Sequence, residues 1–135
     1  IRDRVEGSVD VYINSYLNLF LTWNKGIAFG LFSVNESIIY NSITSMIGLI
    51  IIVILFMMWK NNNIQRYFLV FVAGGALGNL YDRVVYTAVP DFIDLHFHGF
   101  HWFVFNIADI FISIGVFCLI IVEVFNNNHN SNEKN

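Results

Sequence analysis

The sequence predicts an α-helical integral membrane protein with a small β-sheet region outside the bilayer. Three observations predict this class: the composition, three long apolar runs, and one short stretch in which apolar and polar residues alternate. Of the 135 residues, 56% are hydrophobic and 13% are charged, and the mean hydropathy is +0.60, well above the usual range of soluble domains. The net charge is −3 and Lys and Arg are scattered singly, so the chain has no basic stripe that could bind nucleic acid.

The amino-terminal region predicts a β-hairpin. Apolar and polar residues alternate over residues 8–24, and an Asn-Ser pair lies at the centre of this stretch, where a turn between two strands is expected. The sequence NKGIAFGLF follows, and its glycines, Gly26 and Gly30, permit a tight turn or the close approach of another segment. We therefore expect an extracytoplasmic β region over about residues 8–32.

Apolar runs predict three membrane-spanning helices, over about residues 38–59, 67–83 and 103–125. About 20 predominantly apolar residues suffice to cross the hydrocarbon core of a bilayer. The second run contains Gly74 and Gly78, a G-x-x-x-G pair that allows a neighbouring helix to pack closely.

One membrane-embedded domain is predicted over residues 1–125, because no internal repeat or linker divides the chain. The Asn-rich tail over residues 126–135 is predicted to be disordered. Lys and Arg are enriched in cytoplasmic loops. The linker over residues 60–66 and the tail are short yet hold three of these cations, whereas the opposite side is about three times longer and holds four. The linker and the tail are therefore predicted to be cytoplasmic, and the hairpin extracytoplasmic.

Residues 74–109 hold most of the groups that could perform chemistry, including four carboxylates between apolar segments. Such groups are costly at the edge of a bilayer unless they pair or have a function. Asp91 follows Pro90, the only proline, so the second helix has ended and an extended segment begins. If Asp91 meets Asp109, 18 residues later (109 − 91), the two carboxylates share one proton. A pair of this kind activates water and protonates a leaving amine without a metal or cofactor.

Neighbouring polar residues have both a functional and a purely structural interpretation. Gly75, Asn79 and Arg83 follow one another at intervals of four residues and share one face of the second helix. That face could support a catalytic site or only hold helices together. Asn106 and Asp109 could similarly serve as a helix N-cap and an acidic residue at the third helical position.

The histidines that follow Asp91 suggest a further strand and an alternative site. Asp94, His96 and His98 alternate with apolar residues, which predicts a strand resting on the apolar side of the hairpin with its polar edge toward solvent or substrate. His96 and His98 would then share one side and could bind zinc, with His101 or Asp94 as a third ligand. We expect no metal, because surface histidines near a membrane are common without one.

Three blocks in order resemble the lipoprotein signal peptidases, also called signal peptidase II: NKGIAFGLF (24–32), GGALGNLYDRVV with PDFID (74–94), and FNIAD (105–109). The resemblance covers nearly the whole chain, from about Val11 to Cys118. It implies a multi-pass aspartic endopeptidase of the bacterial cytoplasmic (inner) membrane that removes the signal peptide from prolipoproteins. Cleavage falls just before a cysteine that carries a diacylglyceryl group. A small extracytoplasmic β-sheet cradle, with the active site at that face, is implied as well.

The resemblance also assigns site residues by position. It implies that Asp91 and Asp109 are the catalytic aspartates. The other recurrent polar and small positions of the family match Asn24, Gly75, Asn79, Arg83, Asn106 and Ala108. Their implied roles are to shape the site, orient the aspartates and contact the substrate backbone. The expected partners are a diacylated prolipoprotein and the lipid bilayer, with no cofactor, and we expect a monomer.

Two features depart from the family pattern. Members normally begin with another membrane helix carrying an Asp and a Lys near its outer end, so four spans are expected and we expect further sequence before Ile1. Asp3 does not take over that role, because no apolar helix surrounds it. Pro90 stands where aliphatic residues are more usual. The alternative function is a non-catalytic membrane transport or assembly protein that uses Arg83 and the carboxylates as a buried ion network.

Overall fold

A four-stranded antiparallel sheet and three long helices make up the part of the chain that the structure, a computed structural model, describes: residues 10–26 and 36–132. In chain order the elements are β1 (Val11–Asn14), β2 (Leu17–Asn24), α1 (Glu36–Lys60), α2 (Ile64–Tyr86), β3 (Val89–Phe97), β4 (Phe100–Phe105) and α3 (Ile107–Asn132). The chain divides into two compact units, the first formed by residues 1–40 and 82–106 and the second by residues 41–81 and 107–135. The prediction of one domain over residues 1–125 stays a prediction.

The first unit contains the sheet, whose strand order is β1-β2-β3-β4. β1 and β2 form the predicted hairpin, and at its turn the backbone N–H of Tyr16 donates to Oδ1 of Asn14 over 2.8 Å. An asparagine that binds the backbone two residues ahead stabilises turns of this kind. Of the predicted β region over residues 8–32, the parts outside residues 10–26, including Gly30, lie outside the described residues.

The strand that carries the predicted polar edge joins the sheet rather than covering it. β3 pairs with β2 edge to edge, with Asn18 opposite Asp94 and Thr22 opposite Asp91. The predicted position on the apolar side of the hairpin is therefore wrong. Because Asp94 is only 2% exposed, the expectation that it meets solvent is wrong as well. A period-2 pattern identifies a strand, but it does not say which neighbour covers either face.

β4 is the element that the sequence analysis missed, because residues 103–105 were assigned to the third span. Its aromatic and β-branched residues suit an apolar span and a strand equally well. The turn before it settles the matter: His98 and Gly99 have φ values of 47° and 78°, and two positive φ angles are typical of a type I′ hairpin turn. His98 therefore lies in the turn, beyond the end of β3 at Phe97.

Among the described residues, three helical segments are long and apolar enough to cross a membrane: Ser37–Lys60, Ile64–Tyr86 and Ile107–Asn127. They confirm the three predicted spans, with two differences at the ends. α3 begins at Ile107 because the preceding residues pair with β3, and it continues to Asn132 through residues predicted to be disordered. No glycine or proline follows Gly115 to end the helix. Residues 133–135 lie outside the described residues.

Within the second unit, α2 and α3 approach each other closely at glycines. A Cβ atom at Gly75 would collide with the carbonyl oxygen of Ala108 and lie 2.7 Å from the Ile112 side chain, whereas at Gly74 it would meet nothing within 4 Å. The predicted G-x-x-x-G pair is therefore half right, since a Cβ atom added at Gly78 would lie 3.7 Å from that of Ala108, whereas one at Gly74 would meet nothing. The rotation of α2 about its own axis, which residue spacing alone does not determine, turns Gly75 rather than Gly74 toward α3.

Candidate active site

The Asp91 carboxylate accepts a hydrogen bond at each of its two oxygens. Asn24 donates its Nδ2 to Oδ2 over 2.9 Å, and Asn106 donates its Nδ2 to Oδ1 over 2.8 Å. Asp91 is only 4% exposed and Asn106 only 5%. Hydrogen bonds to a carboxylate are stronger than those between neutral groups, so two donors on opposite oxygens fix the rotation of the side chain.

We call this group, together with Arg83 from α2, the Asp91 cluster (Asn24, Arg83, Asp91 and Asn106), and its members come from different elements. Asn24 is the last residue of β2, Asp91 lies in β3, and Asn106 directly precedes α3. The orientation of Asn24 is set locally, because its Oδ1 accepts the backbone N–H of Gly26 over 2.7 Å and its amide nitrogen is thereby turned toward Asp91. The short motif Asn-Lys-Gly thus positions a donor at the carboxylate.

Arg83 holds the backbone of that motif in place. It is 7% exposed, and its Nη1 donates to the backbone oxygen of Lys25 over 3.3 Å. The guanidinium also lies over the Tyr40 ring, 5.6 Å from its centroid, while the Tyr40 hydroxyl donates to the Arg83 backbone oxygen over 2.6 Å. Gly26 has a φ of 75°, and a Cβ there would collide with the guanidinium. Any larger residue after Lys25 would therefore have a strained backbone and would require the guanidinium to shift.

Asp91 borders a cavity of 420 Å³ in the first unit. Its lining residues are Thr22, Trp23, Asn24, Lys25, Asp91 and Val104. The lining combines the carboxylate with an amide, a hydroxyl and an ammonium-bearing side chain. A polar cavity of this size beside a hydrogen-bonded carboxylate can admit an extended peptide segment and water.

The second unit holds the Asp109 cluster, which consists of Gly75, Asn79, Ala108 and Asp109. Asp109 lies in the first turn of α3 and accepts a hydrogen bond at Oδ1 from Nδ2 of Asn79 over 2.9 Å. Gly75 lies one helical turn before Asn79 and packs against the backbone of Ala108. The missing side chain at Gly75 allows α2 and α3 to approach closely enough for this bond.

Every site residue predicted from the sequence thus falls into one of two clusters. Tyr40 was not predicted as a site residue, because it lies within the first apolar run. A tyrosine at the polar end of such a run is typical of a membrane interface, and this was the available signal.

The histidines form a separate group that does not match the predicted metal set. The sequence predicted that His96 and His98 share one face of a strand. This is wrong, because His98 lies in the β3–β4 turn. Instead, one ligand atom each of Asp94, His96 and His101 lie within 4.8 Å of one another. Nδ1 of His101 lies 2.8 Å from Oδ2 of Asp94. This group depends on β4, which was not predicted from the sequence.

Comparison with known proteins shows to which family the chain belongs. A family model described as "Signal peptidase (SPase) II" matches residues 2–125. The chain belongs to the signal peptidase II family. A lipoprotein signal peptidase of Pelagibacter ubique is 76% identical over 131 residues, which are 97% of this chain and 79% of that protein. A lipoprotein signal peptidase of Anaplasma phagocytophilum is 43% identical over 117 residues, 85% of this chain and 74% of that protein.

Solved structures agree with this membership of the signal peptidase II family. A bacterial membrane enzyme determined by the in meso method at 2.3 Å resolution is 30% identical, with a TM-score of 0.65 over 94% of this chain and 76% of that one. A second, at 1.9 Å, is 31% identical, with a TM-score of 0.64 over 91% and 77%. The predicted membrane fold and family resemblance are confirmed. The chain is accordingly a membrane protease of the signal peptidase II type that processes lipoprotein precursors, and the non-catalytic alternative is set aside.

Proposed function

We propose that Asp91 and Asp109 are the catalytic pair of an aspartic endopeptidase that cleaves diacylated prolipoproteins before the modified cysteine. The observation that carries the proposal is that each aspartate has its own amide donors. Asn24 and Asn106 bind Asp91, and Asn79 binds Asp109. Polar side chains that converge on a carboxylate in an apolar membrane protein point to a functional site.

The proposed reaction uses the two carboxylates in opposite protonation states. The ionised one accepts a proton from water, whose oxygen attacks the carbonyl carbon of the scissile peptide bond. The protonated one donates its proton to the amide nitrogen as the carbon–nitrogen bond breaks. The products are a peptide carboxylate and a free amino group on the modified cysteine. The asparagines keep both carboxylates in fixed orientations and contribute no proton of their own.

The proposal of a lipidated substrate is supported by an apolar groove in the second unit. The groove has a volume of 460 Å³ and is lined by Val70, Phe71, Gly74, Gly75, Ile107, Ala108 and Phe111. None of these side chains carries a polar atom, and Ala108 is the neighbour of Asp109 in α3. A diacylglyceryl chain placed there would bury its apolar surface while its cysteine stays close to Asp109.

The proposed location is the bacterial cytoplasmic membrane, with the sheet at the extracytoplasmic face and a monomeric enzyme. Lys60 and Arg66 flank the short linker between α1 and α2, at the end of α1 and in the first turn of α2, and cytoplasmic loops are enriched in such residues. This distribution supports the orientation.

The test is cleavage of a diacylated lipoprotein precursor, compared with its unlipidated form, by the membrane-inserted protein. Asp91→Asn and Asp109→Asn should each abolish cleavage while the protein still inserts and folds. Asp10→Asn is the matched control, since Asp10 is exposed and outside both clusters. Cleavage that persists in either variant, or equal cleavage of the unlipidated form, would overturn the proposal.

A further inference from the structure

We propose that Asp94, His96 and His101 form a binding site for a divalent transition-metal ion, with zinc as the preferred metal. This site is distinct from the proposed catalytic residues. One ligand atom from each side chain lies within 4.8 Å of the other two. The residues belong to the far part of β3 and the facing part of β4, whereas the Asp91 cluster uses the beginning of β3. The inference therefore goes beyond the proposed peptidase function.

Strand register explains why these three side chains meet. Asp94 and His96 are two residues apart in β3 and so point to the same face of the sheet. Leu95 pairs with Phe103, but His96 pairs with His101 instead of the next residue in line, Trp102. This irregularity is a β-bulge, which inserts one extra residue and redirects the side chains beyond it. It places His101 opposite His96, and the two rings lie 5.2 Å apart between centroids.

Burial of the donor atoms points to a ligand. Asp94 is 2% exposed, and its Oδ2 contacts Nδ1 of His101. Within residues 10–26 and 36–132, Nδ1 of His96 and Oδ1 of Asn18 are buried and have no hydrogen-bond partner. Asn18 is paired with Asp94 across the β2–β3 ladder, so its side chain lies on the same face. Buried polar atoms normally have partners, and a cation on this face would supply one to both.

The donor set selects the class of metal. Two imidazoles and one carboxylate suit zinc and related transition metals, whereas calcium and magnesium prefer oxygen ligands alone. The ligand atoms of a tetrahedral zinc ion lie roughly 3.3 Å apart, given zinc–nitrogen bonds of about 2.0 Å. Side-chain rotations of His96 and His101 would close the remaining gap. Asn18 or a water molecule would then occupy the fourth position, and the ion would tie β3 to β4.

Zinc binding to the purified, chelator-stripped protein tests the site, with a tag that contains no histidine. Equilibrium dialysis against zinc chloride, followed by elemental analysis, should give one zinc per chain, and zinc should raise the melting temperature. Cobalt chloride should give the visible absorption bands of a tetrahedral site. His96→Ala and His101→Ala should each weaken binding at least tenfold, since ligand loss should exceed the 10- to 100-fold effect of outer-shell changes. The double variant should lose stoichiometric zinc.

His98→Asn is the matched control, because His98 is a neighbouring histidine outside the group and asparagine tolerates its positive φ. It should bind zinc as the wild type does. If His96→Ala fails to fold, as judged by circular dichroism, zinc binding by His101→Gln and the cobalt spectrum of the wild type still test the site. The proposal is overturned if the wild type binds no stoichiometric zinc, if the double variant retains it, or if His98→Asn weakens binding as much as His96→Ala. Asp91→Asn and Asp109→Asn should keep the zinc, so this test and that of the peptidase function fail independently.

Discussion

Asn24 and Asp91 are joined by a hydrogen bond of 2.9 Å from Nδ2 of the amide to Oδ2 of the carboxylate, and the same amide is oriented by the N–H of Gly26. These two residues are far apart in the sequence, and they come together because β2 and β3 are paired strands. The proposed catalytic geometry thus depends on the sheet as much as on the membrane helices.

The first prediction concerns the two donors to Asp91. Asn24→Ala and Asn106→Ala should each lower kcat/KM by about 10- to 100-fold, because a hydrogen bond to a charged group contributes about 1.5–3 kcal/mol. The loss should fall mainly on kcat, since these residues position the carboxylate rather than bind the substrate. Steady-state cleavage of a diacylated precursor measures both constants. Asn127→Ala, at an exposed position of α3, should match the wild type, and unchanged kcat in both donor variants would contradict the assignment.

The second prediction compares two adjacent glycines of α2. Gly75→Ala should destabilise the protein by about 1–3 kcal/mol, the usual range for overpacking, because the new methyl group meets the Ala108 carbonyl and Ile112. It should also reduce cleavage, since α2 can then no longer bring Asn79 to Asp109. Gly74→Ala should not destabilise the protein, because nothing lies within 4 Å of an added Cβ atom. Thermal unfolding in detergent and a cleavage assay measure the two effects, and equal melting temperatures for the two variants would refute the predicted packing.

The third prediction separates backbone strain from the contact with Arg83. Gly26 and Gly99 both have positive φ, near 75° and 78°, so alanine at either position carries a strain cost of about 1–3 kcal/mol. Only at Gly26 does the added Cβ also meet the guanidinium. Gly26→Ala should therefore lose activity as well as stability, whereas Gly99→Ala should lose stability alone. Melting temperatures together with kcat/KM for the two variants measure this difference, and a similar loss of activity in both would show that the Arg83 contact is unimportant.

The fourth prediction concerns orientation in the membrane. In a Cys118→Ser background, which removes the only cysteine, Ser15→Cys in the β-hairpin turn should react with a membrane-impermeant thiol reagent added to spheroplasts. Asn62→Cys in the α1–α2 linker should react only after the membrane is permeabilised. Both positions are exposed, so the difference reports the side of the membrane. The reverse labelling pattern would place the proposed site on the cytoplasmic side.

The sequence was sufficient for the features that depend on local pattern. The apolar runs were long enough to predict the three helices, and the alternation before Asn24 predicted the hairpin. Prediction from the sequence failed where an apolar segment is compatible with both a β-strand and a membrane-spanning helix. Residues 103–105 are aromatic or β-branched and were assigned to a membrane span, although the turn at His98 and Gly99 was available as a strand signal.

Other features of the site depend on contacts that spacing does not determine. Asn106 reaches Asp91 because β4 returns along β3, and β4 had not been predicted. Asp94 was expected at the surface because a strand pattern does not reveal which elements cover it. The roles of Asp91 and Asp109 came from the family resemblance, and they stay predictions until the variants are assayed.

Asn24 and Asn106 donate to Asp91 through amides, which carry no net charge. Dissolved salt screens attractions between exposed charges, most strongly when they are farther apart than a Debye length of about 8–10 Å at physiological ionic strength, but it has little effect on short, buried hydrogen bonds from neutral groups. A carboxylate held by lysine or arginine at a water-filled cleft would be more sensitive to its medium. The orientation that these two bonds give Asp91 should therefore persist at the extracytoplasmic face that we propose for the sheet, where the ionic strength varies with the surrounding medium.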